Sequence, residues 1–265
     1  MVVLVTNDDG YRAAGMAVLY KAARKVFGKD VVFVVPDKPQ SSSGMSFTFH
    51  KPLRVERIKH NGISGFTVSG TPADCVFMAV YHMFKGKVDM VLSGVNEGMN
   101  VGLETVYSSG TISAAMFAAI SNIPSMAFSK HIKDQSSTYD LDSDMESTFS
   151  RLVDILTTVK KKGFPSSIDM LNVNFPLKTN GNTDIEVVKT DRRVFDDIVN
   201  WKKDPHGKPY YWLYGTLKKD LDRKADIWTL MRGNITITPI QLSAIELERL
   251  NEMERMFHGE KDGPV

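Results

Sequence analysis

Residues 2–10 decide the fold of this chain, and they read Val2-Val3-Leu4-Val5-Thr6-Asn7-Asp8-Asp9-Gly10. Four apolar residues, three of them β-branched, run without a polar interruption, which is typical of a strand buried on both faces of a parallel sheet. The Asn-Asp-Asp-Gly cluster that follows predicts a turn. Two adjacent carboxylates are therefore expected at the carboxyl end of an early strand, where open α/β sheets bind their ligands.

The acidic pair Asp8 and Asp9 has two interpretations. Carboxylates that lie this close raise each other's pKa unless a cation or hydrogen-bond donors compensate, and carboxylate oxygens suit Mg²⁺ or Mn²⁺. Asp-Asp-Gly is also common in turns for purely local reasons, with one Asp capping the next helix. This stretch alone does not distinguish a metal site from a turn.

The next segments predict a βαβ unit and further buried strands. Apolar residues at helical spacing predict a helix over 15–27, and the run 31–35 predicts a second strand that is parallel to the first. Other strands are expected at 88–92, 124–128, 170–175, 185–188 and 235–240, with a β-hairpin over 53–68 that turns at Asn61-Gly62. Thr71 is expected to cap a helix in which Cys75 is a core residue. We predict an α/β fold with a Rossmann-like, three-layer, mostly parallel sheet and helices on both faces.

The composition is that of an ordinary globular protein. The chain has 265 residues, 42% of them hydrophobic and 24% charged, and a formal net charge of +2, so charge gives no reason to expect a nucleic-acid polymer or a membrane as partner. The single cysteine excludes an internal disulfide and fits a reducing compartment. The chain begins with a strand and has no apolar run of ~20 residues, so we expect a cytoplasmic protein. We predict one domain over 1–265, with an α/β core over about 1–175.

Three polar loops should lie on the same rim of the sheet as the acidic pair. The first, Pro36 to Ser46, follows the second predicted strand and contains Ser41-Ser42-Ser43-Gly44. The second, Ser93 to Gly102, follows the strand over 88–92 and contains Asn96. The third, Ser108-Ser109-Gly110-Thr111, precedes a predicted helix over 112–120. Hydroxyl, amide and backbone N–H groups there can complete a metal site or hold phosphate oxygens. Each loop alone can also be a solvated turn or a simple helix cap.

The C-terminal part predicts an arm and a last helix. A polar linker is expected over 131–144 and an amphipathic helix over 146–159. The segments 193–203 and 208–214 flank an Asp-Pro-His-Gly turn and predict an extended β-hairpin arm rich in aromatic residues, over about 176–265 with the C-terminal segment. The aromatic rings either contact another subunit or pack on the parent domain. Ser243 to Glu246 predict a capping box before the C-terminal helix.

Five motifs, taken together, resemble those of the SurE family of survival-protein nucleotidases. They are Thr6-Asn7-Asp8-Asp9-Gly10, the serine loop after Pro36-Asp37-Lys38, Ser69-Gly70-Thr71-Pro72-Ala73-Asp74-Cys75, Ser93-Gly94-Val95-Asn96-Glu97-Gly98 and Ser109-Gly110-Thr111. The resemblance extends to Ile237-Thr238-Pro239-Ile240. The family's Tyr/His-Ser-Gly-Thr tract corresponds here to residues 107–111, with one extra residue. The chain has no P-loop, no G-x-G-x-x-G and no G-x-S-x-G motif, which disfavours competing enzyme classes.

The resemblance implies a metal-dependent phosphatase, a 5′/3′-nucleotidase that acts on nucleoside 5′- and 3′-monophosphates, with a possible side activity on polyphosphate. It implies one divalent ion per subunit, Mg²⁺ or Mn²⁺, and a homodimer or homotetramer. The implied metal ligands are Asp8, Asp9, Ser41 and Asn96, and the implied catalytic residues are Asp8, Asp9 and Asn96. The implied phosphate-binding residues are Asn7, Ser43, Gly44, Ser109, Gly110 and Thr111. Either acid could assist an attacking water or attack phosphorus itself.

A non-catalytic, Mg²⁺-binding α/β receiver or switch is the alternative. Paired aspartates after a first strand also suit such a domain. The second set of loops favours the phosphatase, because a phosphate cradle at Ser109-Gly110-Thr111 has less use in a switch. Phosphatases with a D-x-D motif are disfavoured because the acids Asp8 and Asp9 are adjacent.

Overall fold

The computed structural model describes residues 1–133, 141–242 and 247–258. Its strands are β1 (Val2–Thr6), β2 (Val31–Pro36), β3 (Val55–His60), β4 (Ile63–Val68), β5 (Val88–Glu97), β6 (Ser125–Lys130), β7 (Met170–Phe175), β8 (Ile185–Val187), β9 (Phe195–Lys203), β10 (Pro209–Leu217) and β11 (Ile235–Ile240). Its helices are α1 (Ala14–Phe27), α2 (Pro72–Phe77), α3 (Leu103–Ser108), α4 (Gly110–Ile120), α5 (Leu141–Glu146), α6 (Phe149–Lys162), α7 (Asp226–Met231) and α8 (Leu247–His258). A π-helical segment, Met78–Met83, continues α2.

One mixed sheet organises the described chain. The sheet has nine of the described strands, in the order β3-β4-β2-β1-β5-β6-β7-β11-β8. The six from β4 to β7 are parallel, while β3 and β11 pair antiparallel with β4 and β7. The predicted mostly parallel α/β fold is confirmed. The C-terminal segment contributes β8 and β11 to this same sheet.

Strand β1 lies in the middle of the sheet because both of its faces are apolar. Val3 and Val5 pack with α1 and α6 on one face, whereas Leu4 packs with α2 and α4 on the other. Successive side chains of a strand point to opposite faces, so an uninterrupted apolar run needs helices on both sides. This central position puts the acidic turn after β1 in the middle of the carboxyl edge.

The predicted helix start at Thr71 is confirmed. Its hydroxyl accepts a hydrogen bond from the backbone N of Asp74 at 3.1 Å, and the Asp74 carboxylate accepts one from the backbone N of Thr71 at 2.9 Å. The side chain of Cys75 is fully buried, as predicted for a core residue, and burial raises the pKa of its thiol.

The main difference from the sequence prediction is the length of β5. The sequence predicts a strand over 88–92 followed by a loop, yet β5 continues to Glu97. The neighbouring strands provide the reason, because Ser93 pairs with Thr6 of β1 and Asn96 pairs with Ser129 of β6. Backbone partners on both sides outweigh the turn preference of the Ser-Gly-Val-Asn sequence.

Three short helices were not predicted. They are α3, α5 and α7, and α5 occupies the end of the predicted linker over 131–144. The amphipathic helix expected over 146–159 is α6, which begins at Phe149. The rest of that linker after residue 133, up to residue 140, and the predicted capping box Ser243 to Glu246 lie outside the described residues.

The predicted hairpin arm is confirmed. Strands β9 and β10 pair antiparallel along their whole length and pack chiefly against each other. Large side chains on the arm are exposed to solvent, among them Trp201, Tyr211 and Trp212. None of the described helices combines the length and the apolar character needed to cross a membrane.

Candidate active site

The carboxyl edge of the sheet brings the predicted metal ligands together. Asp8 and Asp9 follow β1, Ser41 lies in the loop after β2, and Asn96 lies at the end of β5. All four line one cavity of about 230 Å³, called the acidic pocket here. Its lining residues are Asp8, Asp9, Ser41, Ser42, Asn96, Glu97, Asn100, Thr105, Ser108 and Ser109.

Thr111 links the turn after β1 to the end of β5, which carry the predicted metal ligands Asp8 and Asn96. Its hydroxyl donates a hydrogen bond to Oδ1 of Asp8 and lies 3.3 Å from Oδ1 of Asn96. The Nδ2 atom of Asn96 donates to the Gly98 carbonyl at 2.9 Å, which orients the amide with its oxygen towards Thr111. Oxygen atoms from the turn after β1, from the end of β5 and from α4 therefore lie close together.

Burial makes the acidic pair unfavourable without a cation. Asp8 is 5% exposed, and burial raises its pKa. The pKa of Asp9 rises to about 7, first through burial and then through the negative charges of Asp8 and Glu97. Among the described residues that line the acidic pocket there is no lysine, arginine or histidine. Either a bound proton or a metal ion must therefore compensate these carboxylates.

The amino terminus of α4 lies beside the same pocket. Ser109 caps this helix, because its Oγ accepts a hydrogen bond from the backbone N of Ile112 at 3.2 Å. A Cβ atom added to Gly110 would lie 2.9 Å from both the Cβ of Asp8 and the Oγ of Ser43. Position 110 must therefore be glycine for the helix to approach the acidic turn this closely.

Two backbone hydrogen bonds hold the serine loop in place. The backbone N of Gln40 donates to the carbonyl of Asp8 at 2.8 Å, and the backbone N of Gly44 donates to the carbonyl of Ser108 at 2.9 Å. The loop is thereby tied to the acidic turn at one end and to α3 at the other. Ser43 and Gly44 thus lie next to the α4 terminus, as a shared phosphate cradle requires.

Asn7 shapes the acidic turn. Its side-chain Nδ2 donates to the Gly10 carbonyl at 3.0 Å, and its Oδ1 accepts from the Gly10 backbone N at 3.1 Å. Both ends of the buried amide are engaged in closing the turn. A contact between Asn7 and phosphate stays a prediction from the sequence.

A buried polar network under the pocket was missed by the sequence interpretation. The backbone of Asn100 accepts from the side chains of Asn172 and Asn174 and donates to Asn174, while its own side chain donates to Ser129 at 2.8 Å. These bonds hold the loop after β5 against β6 and β7. The signal was present as Met-Leu-Asn-Val-Asn-Phe, an otherwise apolar strand with two asparagines on one face.

The donor set fits a hard divalent cation. Among the described residues no group of three or more His, Cys, Asp or Glu is arranged to hold a metal ion. The predicted set consists instead of two carboxylates, one hydroxyl and one amide carbonyl, which are oxygen ligands of the kind that Mg²⁺ and Mn²⁺ prefer. The uncompensated, buried charge of Asp8 and Asp9 is the structural observation in favour of a cation at this position.

The fold and the site together define a class of protein: a mostly parallel α/β protein with an acidic, oxygen-lined pocket at the carboxyl edge of its sheet, beside a helix amino terminus. Within that class, the family model described as Survival protein SurE matches residues 3–197. The chain belongs to the SurE family.

Relatives support this membership over nearly the whole chain. The chain is similar to the 5′-nucleotidase SurE of Methanocella arvoryzae, with 36% identity over 260 residues that cover 96% of this chain and 97% of the relative. It is also similar to the 5′-nucleotidase SurE of Thermofilum pendens, with 37% identity over 92% of each chain. The crystal structure of the SurE protein from Aquifex aeolicus matches with a TM-score of 0.81 and 33% identity, covering 97% of this chain and 99% of that one.

Proposed function

We propose that this protein is a metal-dependent phosphatase that hydrolyses nucleoside 5′- and 3′-monophosphates to nucleoside and phosphate. The observation that carries the proposal is the convergence of Asp8, Asp9 and Asn96 with the α4 terminus at one pocket. The relatives named 5′-nucleotidase support the same substrate class. A purely regulatory switch would not need a helix terminus beside its metal ligands.

Asp8, Asp9, Ser41 and Asn96 are the residues that would hold one divalent cation, Mg²⁺ or Mn²⁺. When bound, such an ion supplies positive charge that polarises a phosphoryl oxygen and neutralises developing negative charge. Thr111 holds the Asp8 carboxylate in position for this task, because its hydroxyl occupies one lone pair of Oδ1.

The phosphate cradle comprises Ser43, Gly44, Ser109, Gly110 and Thr111. Backbone N–H groups at the start of α4 and in the serine loop can donate to phosphate oxygens. A helix terminus contributes at most about 2 kcal/mol, whereas enzymes lower the barrier to phosphate-monoester hydrolysis by more than about 20 kcal/mol. The cradle therefore binds and orients the phosphate, and the acidic pocket must account for most of the chemistry.

Asp9 is better placed than Asp8 to move a proton. Asp8 is fixed by Thr111, whereas the Asp9 carboxylate accepts a long hydrogen bond, 3.5 Å, from the backbone N of Glu97. In the proposed step the oxygen of water bonds to phosphorus and a proton of the water passes to Asp9. The bond from phosphorus to the nucleoside oxygen breaks, and that oxygen takes up a proton from solvent. Hydrolysis of a substrate whose phosphate is chiral through oxygen isotopes tests this step, because direct attack by water inverts the configuration at phosphorus, whereas attack by a carboxylate followed by attack of water on phosphorus retains it.

Phosphate release from AMP tests the proposed function. The purified protein should release phosphate with Mg²⁺ or Mn²⁺ and should stop when EDTA is added. Asp8→Asn and Asp9→Asn should each lower activity by more than about 100-fold with the fold retained. Loss of a residue that only supports a metal ligand typically lowers metal affinity or activity by about 10–100-fold, and loss of the ligand itself should lower activity further. The same assay with short polyphosphate tests the side activity.

Asp30→Asn is the matched control. Asp30 is an exposed carboxylate that precedes β2, at the opposite edge of the sheet. This variant should retain the activity of the unsubstituted protein. Near-normal activity of Asp8→Asn or Asp9→Asn would show that the assignment of the site is wrong.

A further inference from the structure

Lys130, the last residue of β6, is a lysine whose side chain is fully buried. Lysine is almost never fully buried unless its charge is paired, and here the ammonium group has three acceptors. Its Nζ donates to the carbonyl oxygens of Pro176 and Leu177, both at 3.0 Å, and lies 3.2 Å from Oδ1 of Asp144. An ammonium group has three N–H donors, so the three acceptors match them and hold the group in one position.

The acceptors of Lys130 come from two segments that meet at the carboxyl edge of the sheet. Pro176 and Leu177 directly follow β7, and Asp144 lies in α5. Burial lowers the pKa of Lys130, whereas the neighbouring carboxylate of Asp144 favours its charged form. The buried ion pair therefore joins the end of β6 to the end of β7 and to α5.

The backbone of Lys130 leads from this ion pair to the acidic pocket. Its carbonyl oxygen accepts a hydrogen bond from the backbone N of Gly98 at 2.9 Å. The carbonyl of Gly98 in turn accepts from Nδ2 of Asn96 at 2.9 Å, and Oδ1 of Asn96 lies 3.3 Å from the hydroxyl of Thr111. Two consecutive hydrogen bonds thus connect the backbone of Lys130 with the amide of a predicted metal ligand.

We propose that Lys130 is a positioning residue for Asn96. Its buried ammonium group fixes the end of β6, and its carbonyl oxygen fixes Gly98 and, through Gly98, the amide of Asn96. The inference rests on the proposed function, because it concerns a ligand of the proposed cation. Lys130 itself contacts neither the cation nor the substrate.

Stability alone is a weak explanation for a lysine at this position. A buried ion pair can often be replaced by apolar side chains of similar volume without loss of stability, because the desolvation penalty offsets the attraction of the two charges. All residues of β6 are buried, so an apolar side chain at position 130 would suit the strand. An apolar side chain cannot hold two carbonyl groups and a carboxylate in a fixed geometry, which is what a positioning role next to Gly98 requires.

The affinity for Mn²⁺, measured by calorimetry on the whole chain without substrate, tests this role. In Lys130→Met the dissociation constant should rise at least about tenfold, since loss of a group that supports a metal ligand typically lowers affinity by about 10–100-fold. Asp144→Asn should cause a smaller rise, because the two carbonyl groups still hold the ammonium group. KM for AMP at saturating Mn²⁺ should stay unchanged in both variants, because the phosphate cradle is formed by other segments.

Lys21→Met is the matched control. Lys21 also pairs with a carboxylate of α5, that of Glu146 at 3.3 Å, but the two side chains are 54% and 52% exposed. This substitution removes a surface contact of α5 and leaves the end of β6 intact. The affinity of Lys21→Met for Mn²⁺ should therefore equal that of the unsubstituted protein.

An unchanged Mn²⁺ affinity in Lys130→Met and Asp144→Asn would overturn the inference even if their urea midpoints fell, because Lys130 would then only stabilise the fold. An equal rise of the dissociation constant in Lys21→Met would also overturn it, because the effect would then come from α5 in general. If Lys130→Met does not fold, the comparison of Asp144→Asn with Lys21→Met decides. An unsubstituted protein that binds no Mn²⁺ would reject the proposed cation site itself, and the role of Lys130 with it.

Discussion

Asp8 and Asp9 are neighbours in one turn but have different surroundings. Asp8 is almost fully buried and accepts a hydrogen bond from Thr111. Asp9 is half-buried, and its pKa rises from 3.8 to about 7 because burial, Asp8 and Glu97 all disfavour its charge. Asp8 is thus a fixed acceptor, whereas Asp9 is the group whose protonation responds to conditions near neutrality.

The metal-free protein should lose stability as pH rises. The folded state holds the Asp9 proton more tightly than the unfolded state, so this contribution is present below about pH 4 and is lost as pH rises through about 7. The test is the free energy of unfolding by urea, measured in EDTA at about pH 5 and at about pH 8. Between these two values it should fall by about 1–2 kcal/mol more in the unsubstituted protein than in Asp9→Asn. This difference is reduced from the full effect of the pKa shift because Asp9 is partly exposed.

Manganese provides the control for this pH prediction. Saturating Mn²⁺ at about pH 8 should restore the lost stability, because the cation takes the place of the proton and binds only the folded site. Asp30→Asn should follow the pH profile of the unsubstituted protein. Equal pH profiles for the unsubstituted protein and Asp9→Asn in EDTA would contradict the assigned cause.

The loop between β5 and α3 is the element on which the site depends most. It contains Gly98, whose carbonyl orients Asn96. Hydrogen bonds fix the loop at two further residues. Asn100 is held by the asparagines of β7, and the backbone N of Gly102 donates to the buried carboxylate of Asp226 at 3.0 Å. Asp226 belongs to α7, far along the chain, so the C-terminal segment helps to position the loop beside the predicted metal ligand Asn96.

Asp226→Ala should damage both stability and activity. The carboxylate also accepts from the Thr190 hydroxyl at 2.9 Å and the Asp191 backbone N at 3.1 Å, so the substitution leaves several buried donors without partners. We expect a loss of about 2–4 kcal/mol in urea unfolding. We also expect about a tenfold fall in kcat, since small displacements of catalytic groups lower the rate strongly.

Asp222→Ala is the control for Asp226. Asp222 lies in the same segment, but its carboxylate is on the surface and pairs with Lys189. Exposed ion pairs contribute little, so this variant should change stability much less and leave kcat as it is. If the two variants had the same stability and the same kcat, the role of Asp226 in holding the loop between β5 and α3 would be rejected.

At the scale of the whole molecule, the arm is the feature that a single chain does not explain. Its strands pack chiefly against each other, and the side chain of Trp212 is 66% exposed and that of Leu213 80%. Exposed apolar patches of this kind are typical of protein interfaces. A second copy of the chain is the partner that the family resemblance implies.

We predict that the protein is a dimer or tetramer through the arm. The double variant Trp212→Ser, Leu213→Ser should lower the mass measured by light scattering at micromolar concentration, because it removes two large exposed apolar side chains. Phe49→Ser, at an exposed ring on the core, should keep the mass of the unsubstituted protein. A monomeric unsubstituted protein would reject the prediction.

The sequence by itself determined the layers of the fold and the rim on which the site lies. The uninterrupted apolar runs of β1 and β2 require a parallel sheet that is covered on both faces. Turn residues such as Asn61-Gly62 set the backbone conformation of their immediate neighbours, so the sequence alone predicts the turn. Because strands in such a sheet end at one edge, the acidic turn and the serine loop were placed together correctly.

Only the tertiary structure decided which side chains meet. The bond from Thr111 to Asp8, the anchoring of Asn100 by Asn172, and the contact of Gly102 with Asp226 join residues 72 to 124 positions apart. The extension of β5 to Glu97 likewise depends on β1 and β6. Local patterns report preferences over a few residues, whereas these contacts follow from strand order and packing, which no local pattern contains.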